Sequence, residues 1–351
     1  MLTALRSYNL FRRIALLLAT LPLTACSTIV MKPFGDIAQQ QSQLIVTAVV
    51  LMLLIVVPVI VLTILFAWRY RSTNKDATYT PQWDHSTRLE LVIWGAPLLI
   101  IIALGAVTWI STHKLDPYRP LERIDSKRPL VQGVKPFVVE VVALDWKWLF
   151  VYPELGIATV NELAAPVDRP IEFKITASTV MNSFYIPALA GQIYAMPGMQ
   201  TKLHAVINTA GVYEGFSANY SGRGFSHMRF KFKGMSPADF EQWVQQNKTA
   251  GNSLGRAEYL KLEQPTESEP VRRYASVDAG LYEAILNRCV DSTKMCMNQM
   301  MAIDAAGGLG KGGIDGLSAK PWGDVQRTYV AALCTPSNPT GGVLPVERPQ
   351  P

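Results

Sequence analysis

The chain has 351 residues, of which 49% belong to the hydrophobic set and only 17% are charged, and its mean hydropathy is +0.15. Soluble domains carry roughly 25% charge, so this deficit points to a membrane protein with a soluble part, and the length allows two or three domains of ~100–200 residues. The net charge of +6 overstates basicity, because Arg6, Arg12 and Arg13 lie in the first 25 residues, which hold no acid; without those three arginines it falls to +3. No basic stripe interleaved with aromatics remains to neutralise phosphates, which argues against a nucleic-acid partner.

Residues 1–25 read as a signal peptide. Arg12 and Arg13 precede an apolar run from Ile14 to Leu23, too short to cross a hydrocarbon core of about 30 Å but suited to an exported leader. The run ends in Leu23-Thr24-Ala25-Cys26, which resembles the bacterial lipoprotein cleavage box and makes Cys26 the expected lipidated first residue. After a short external segment, 26–43, come two candidate membrane helices, 44–68 and 91–112. They hold 25 and 22 residues without a charge, enough to span a bilayer. Pro58 and Pro97 are tolerable there, since neighbouring helices re-satisfy the freed backbone groups. Trp68, Tyr70 and Trp109 sit near the ends as interfacial aromatics, and Trp94 lies a turn inside. The loop 69–90 carries Arg69, Arg71, Lys75 and Arg88, so the positive-inside rule places it in the cytoplasm and everything after residue 113 outside.

Glu90 stands at the cytoplasmic mouth of the second span. Two readings are open: a solvated helix-start carboxylate, which the positive helix N-terminus favours, and a proton-collecting group at a membrane pathway.

A periplasmic linker, 113–133, leads to a β-domain over 134–233. Phe137–Val142 reads as a strand, Ile171–Ile175 alternates apolar with charged residues, and Met228, Phe230 and Phe232 interleave with Arg229, Lys231 and Lys233. One face is expected to be buried and the other wet. Pro- and Gly-rich turns at short intervals suggest a sandwich or Greek-key barrel. From 234 to 300 the pattern turns helical. Ser236-Pro237-Ala238-Asp239 supplies a cap, a first-turn proline and a first-turn acid, and further helices are expected near Ala257–Leu262 and Leu281–Cys289. The tail, 301–351, is expected to be disordered, with a glycine-rich stretch at 307–316 and five prolines in 335–351. Cys289, Cys296 and Cys334 remain outside, where disulfides persist. The simplest bridge joins the first two, but spacing does not assign it.

Leader box, two spans and exported β-domain together resemble subunit II of the haem–copper respiratory oxidases. Ala143–Phe150 is similar to the aromatic segment that opens that family's cupredoxin domain, and Gly215–Met228 falls where its cytochrome c oxidases carry a copper loop. The resemblance implies a two-span α-helical membrane hairpin, then an all-β cupredoxin-like Greek-key domain and a C-terminal helical extension.

The same frame tests for the dinuclear copper centre, which needs Cys-x3-Cys-x3-His-x2-Met and an earlier histidine. Anchored on Met228, it places Phe225 at the histidine, Ser221 and Ser217 at the cysteines and Asn219 at the backbone ligand. Asn182 takes the position of the earlier histidine. Only Met228 survives, and soft thiolates are what hold copper in such sites. His227 is adjacent, but strand alternation should turn it away. Loss of copper at these positions makes the chain resemble subunit II of the quinol-oxidising branch, the cytochrome bo-type ubiquinol oxidases. That resemblance implies an inner-membrane, lipid-anchored subunit with no metal or redox centre of its own. Haems and copper are then expected in catalytic subunit I, which with the smaller subunits and membrane lipid makes up its partners, and ubiquinol is met through the complex. The resemblance also places Glu90 where relatives carry a glutamate at the cytoplasmic entrance of a proton pathway. Trp146, at the electron-entrance position of copper-bearing relatives, is left with a packing role. The competing readings are a copper-bearing cytochrome c oxidase subunit II and a free-standing envelope lipoprotein with a structural or assembly role.

Overall fold

A computed structural model describes residues 28–78, 80–131 and 133–305. The expected signal peptide, Cys26, Cys334 and all of the tail beyond Ala305 lie outside the described residues.

Two long helices open the structure, α1 (Asp36–Arg69) and α2 (Thr87–Lys114). At 1.5 Å per residue they reach about 51 and 42 Å, longer than a hydrocarbon core. Their apolar stretches bury nothing within the chain; Leu91 and Trp94 are 72% and 77% exposed. A soluble core helix would be covered, so these faces belong against lipid or other subunits. The helix bounds exceed the apolar runs. Glu90 lies in the first turn of α2 rather than in the loop, and α1 starts eight residues before Leu44, within the segment expected to be a plain external stretch.

That early start has a tertiary cause. The first turn of α1 docks on the β-domain, where Phe34 and Gly35 donate backbone hydrogen bonds to the Ala188 carbonyl at 3.0 and 2.9 Å. A Cβ on Gly35 would fall 2.6 Å from the Leu189 carbonyl oxygen, so only glycine allows this approach.

The β-domain comprises β1 (Phe137–Leu144), β2 (Lys147–Tyr152), β3 (Ile157–Val160), β4 (Glu162–Pro166), β5 (Ile171–Ala177), β6 (Asn182–Tyr185), β7 (Ile193–Ala195), β8 (Thr201–Ala205), β9 (Gly211–Ser217) and β10 (Arg229–Met235). The extension adds α3 (Pro237–Lys248), β11 (Ser253–Leu254), α4 (Arg256–Leu262), β12 (Arg272–Tyr274), β13 (Ser276–Val277), α5 (Leu281–Leu286) and α6 (Met297–Ala305). One sheet runs β12-β3-β2-β1-β5-β8 and the facing sheet β4-β10-β9-β6-β7. Parallel pairs β1/β5 and β4/β10 among otherwise antiparallel neighbours mark the crossed connections of a Greek-key sandwich. Between the sheets lies an aromatic core, in which Phe184 and Phe230 stack at 5.5 Å and Trp148 meets both edge-on.

The expected alternation of buried and wetter residues runs along β10, whereas every residue of β2 is buried. The extension explains this. Tyr259, Leu262, Leu281, Tyr282 and Ile285 cover the outer face of the first sheet, packing on Val142, Leu149, Val151 and Val160. A disulfide between Cys289 and Cys296 closes that layer. Residues 301–305, expected to belong to the disordered tail, instead complete α6.

Candidate functional site

The Gly215–Met228 stretch folds at one end of the sandwich. β9 delivers Ser217, a loop follows, and a 3₁₀ turn at Phe225–His227 returns the chain to Met228 and β10. β6 brings Asn182 to the same place, because it pairs antiparallel with β9. The fold thus unites residues 35 positions apart: Ser217 Oγ lies 3.1 Å from Asn182 Oδ1. The same hydroxyl reaches the Asn219 carbonyl at 3.2 Å and accepts from the Ser183 amide at 3.4 Å. Asn182 Nδ2 donates to the Val180 carbonyl at 3.2 Å, and Asn219 Nδ2 to that of Met181 at 3.3 Å. Met228 is wholly buried, with Ser221 Oγ 4.0 Å from its sulfur. Phe225 does not join this group; it packs against Tyr220 at 5.6 Å.

Trp146 lies over the loop. Its backbone is left-handed, with φ 65°, and Nε1 donates to the Ser221 carbonyl at 3.1 Å. A Cβ on Gly224 would meet the indole at 2.5 Å, so the loop closes against the ring only through glycine. The tryptophan is half-buried at the rim of the core rather than within it.

This arrangement suits a neutral hydrogen-bonded clasp. It offers hydroxyl and amide oxygens already engaged with one another and a single thioether, with neither thiolate nor imidazole. Those donors do not fit a dinuclear copper centre. His227 is solvent-exposed, as expected, although a 3₁₀ turn rather than strand alternation directs it outward. Among the described residues no cluster of three or more His, Cys, Asp or Glu side chains could hold a metal ion.

Glu90 occupies a separate place, at the other end of α2. Its Oε1 lies 2.7 Å from His85 Nδ1, and His85 Nε2 lies 3.2 Å from Thr87 Oγ1. Sequence reasoning missed His85. The available signal was its position just before Ser86, the N-cap of α2, from which a side chain can fold back onto the first turn.

The family model for the periplasmic domain of cytochrome c oxidase subunit II matches residues 138–234, and that for the COX aromatic-rich motif matches 248–293. The cytochrome bo(3) ubiquinol oxidase subunit 2 of Pseudomonas putida is 49% identical over 271 residues, covering 77% of this chain and 83% of that protein. The chain belongs to the ubiquinol oxidase subunit 2 family. Within that family, the ubiquinol oxidase subunit 2 of Acetobacter aceti is 48% identical, covering 78% of this chain and 87% of its own length. The quinol oxidase subunit 2 of Bacillus subtilis strain 168 is 37% identical over 72% and 77% respectively. A crystal structure of the periplasmic domain of subunit II of a cytochrome oxidase from Bradyrhizobium japonicum overlays 34% of this chain and 98% of that one, at 20% identity and a TM-score of 0.32. The chain has two apolar helices, a cupredoxin-like β-domain that matches the subunit II periplasmic-domain model, and a helical part that contains the aromatic-rich motif region. The motif region is the layer that buries β2.

Proposed function

We propose that this chain is subunit II of a proton-pumping ubiquinol oxidase and carries no electrons itself. The observation that carries the reading is the clasp at Asn182, Ser217, Asn219 and Ser221: the loop that holds copper in cytochrome c oxidases is closed here by hydrogen bonds of neutral side chains to one another and to backbone carbonyls. A lipid-soluble donor oxidised in the membrane makes a periplasmic copper relay unnecessary. Quinol oxidation and oxygen reduction then take place on the haems and copper of subunit I, and this chain packs on that subunit through the uncovered faces of α1 and α2. Lipidation of Cys26 in the inner membrane adds an anchor, although two inserted helices hold the chain more firmly than an acyl chain does.

Glu90 is proposed as the entrance of a proton pathway into subunit I. It sits where the basic loop meets the membrane, with its side chain 46% exposed, so it exchanges protons with bulk water while its helix faces a neighbour. The cytochrome c oxidase alternative requires soft donors where Asn182, Ser217, Ser221 and Phe225 stand. The free-standing lipoprotein alternative leaves the uncovered helix faces against lipid alone and does not account for the kinship with ubiquinol oxidase subunit 2.

Purification through a tag on this chain in mild detergent tests the proposal. A multi-span, haem-bearing partner that co-purifies with quinol:oxygen activity is the expected result. Recovery of the chain alone, without haem, would support the lipoprotein reading.

A further inference from the structure

Four of the chain's 12 methionines fall within one run of seven residues: Met295, Met297, Met300 and Met301. Methionine ordinarily fills irregular gaps in a core, as the wholly buried Met228 does here. The four do not fit that use. Met295, Met297 and Met300 are half-buried, and Met301 is 63% exposed. Thioethers within reach of solvent are open to oxidation, so packing gives no reason to gather them at one place.

The fold turns Met295, Met297 and Met300 onto one cleft of about 600 Å³, between α4, the turn after β5 and the start of α6. Met297 and Met300 stand three residues apart on α6 and share a face. Met295 is held beside them, because Cys296 is bridged to Cys289 and the Met297 amide donates to the Asn287 carbonyl at 2.8 Å. Met297 also lies against the turn before β8, where a Cβ on Gly198 would fall 2.9 Å from its sulfur. The backbone is thus anchored, while three rotatable bonds in each side chain leave the sulfurs free to close on a small ion.

The rest of the cleft does not favour a charged or hard ligand. Its lining charges cancel, Glu263 and Asp291 against Arg288 and Lys294. Thr179 donates to Asp145, and Thr293 to Asp291. What sets the cleft apart is three neutral, soft thioethers, the donor type that selects Cu(I).

We infer that Met295, Met297 and Met300 form a binding site for Cu(I). A thioether has no proton to lose, so binding releases none, and no electron is transferred. The site shares no residue with the clasp and adds no redox centre to the subunit.

The test takes the full-length chain in mild detergent, in a Cys26→Ser, Cys334→Ser background that leaves no cysteine outside the disulfide. Anaerobic titration with Cu(I) against the chromophoric chelator bicinchoninate reads stoichiometry and affinity. One equivalent per chain is expected, with an affinity that stays constant between about pH 5.5 and 7.5, across the histidine range. Met297→Leu and Met300→Leu nearly conserve volume and should each weaken binding by about tenfold or more, the scale of one lost ligand. Met31→Leu, at an exposed methionine before α1, should leave it unchanged. Ag(I), equally soft, should displace Cu(I), and Zn(II) should not. Should leucine disturb α6, the methyl signals of methionine-labelled wild-type chain still read the site: Ag(I) shifts those of Met295, Met297 and Met300 and leaves that of Met228 in place. No Cu(I) uptake, affinity unchanged in both variants, binding lost as pH falls through the histidine range, or displacement by Zn(II) at equal concentration would overturn the inference. None of these readouts is turnover, so its failure is distinct from failure of the ubiquinol oxidase reading.

Discussion

Glu162 ties four elements of the exported domain together, and its neutralisation measures how much that tie contributes. Its carboxylate is nearly buried on β4 and accepts from Lys233 Nζ of β10 at 2.6 Å, Trp243 Nε1 of α3 at 2.8 Å and Arg273 Nη2 of β12 at 2.8 Å. Burial pushes the carboxyl up, but the hydrogen bonds of Lys233 and Trp243 and the charges of Lys233 and Arg273 outweigh it and hold the group below its ordinary value. Glu162→Gln keeps the shape and leaves two cations without their counter-charge. Breaking a fully buried pair costs about 3–5 kcal/mol. Lys233 and Arg273 retain 24% and 32% exposure and partly rehydrate, so about 2–3 kcal/mol is expected here, or roughly 5–10 °C in Tm for a domain of this size. The sign with pH follows from the depressed value. The stabilisation is complete above the unfolded carboxyl range and is lost as pH falls through the lower folded value. Thermal unfolding of wild type and variant should therefore differ fully at pH 7 and converge in strong acid. Equal Tm at pH 7, or a gap that persists unchanged at acid pH, would refute the reasoning.

Glu140 has the opposite sign: burial pushes its carboxyl up to about 7, against the pull of Lys174 and with help from Glu283. Its neutral form suits the fold, so the stabilising contribution is present in acid and lost as pH rises toward and through 7; Glu140→Gln should raise stability by about 1–2 kcal/mol at pH 8, discounted for partial exposure, and leave it unchanged at pH 4. Gly224→Ala drives a methyl into the Trp146 ring at 2.5 Å and should lower stability by about 1–3 kcal/mol, read as a drop in Tm; an unchanged Tm would show that the loop does not close on the indole. Glu90→Gln should reduce oxygen consumption per haem several-fold with assembly and haem content unchanged, and Glu90→Asp should be milder. A capping carboxylate alone would cost at most about 1 kcal/mol of stability and leave turnover intact.

Much of this architecture is legible in the chain because its strongest signals are local. The charge-free runs at 44–68 and 91–112 mark the spans, and Ser236, Pro237 and Asp239 mark the start of α3, where the Ser236 hydroxyl accepts from the Asp239 amide. The substitutions at the copper-loop positions are read directly from residue type, and the fold brings Asn182, Ser217, Asn219, Ser221 and Met228 together around one clasp. What escaped detection depends on distant partners. Lys147–Tyr152 is buried on both faces because helices over 100 residues later cover it, and Lys147 itself is buried by donating to the Gln264 carbonyl and Thr266 Oγ1, each at 2.7 Å. The start of α1 at Asp36 depends on Ala188, Leu189 and Arg123, none of them near it in sequence. His85 became a partner of Glu90 only through the turn that precedes α2.

The central claim is that this chain serves quinol oxidation without passing electrons through its own domain. Oxygen uptake by the complex purified through this chain, measured on one sample with ubiquinol and then with reduced cytochrome c as donor, tests it most directly. Uptake sustained by ubiquinol and absent with cytochrome c is the expected result. Sustained uptake with cytochrome c, together with stoichiometric copper on this chain, would contradict it.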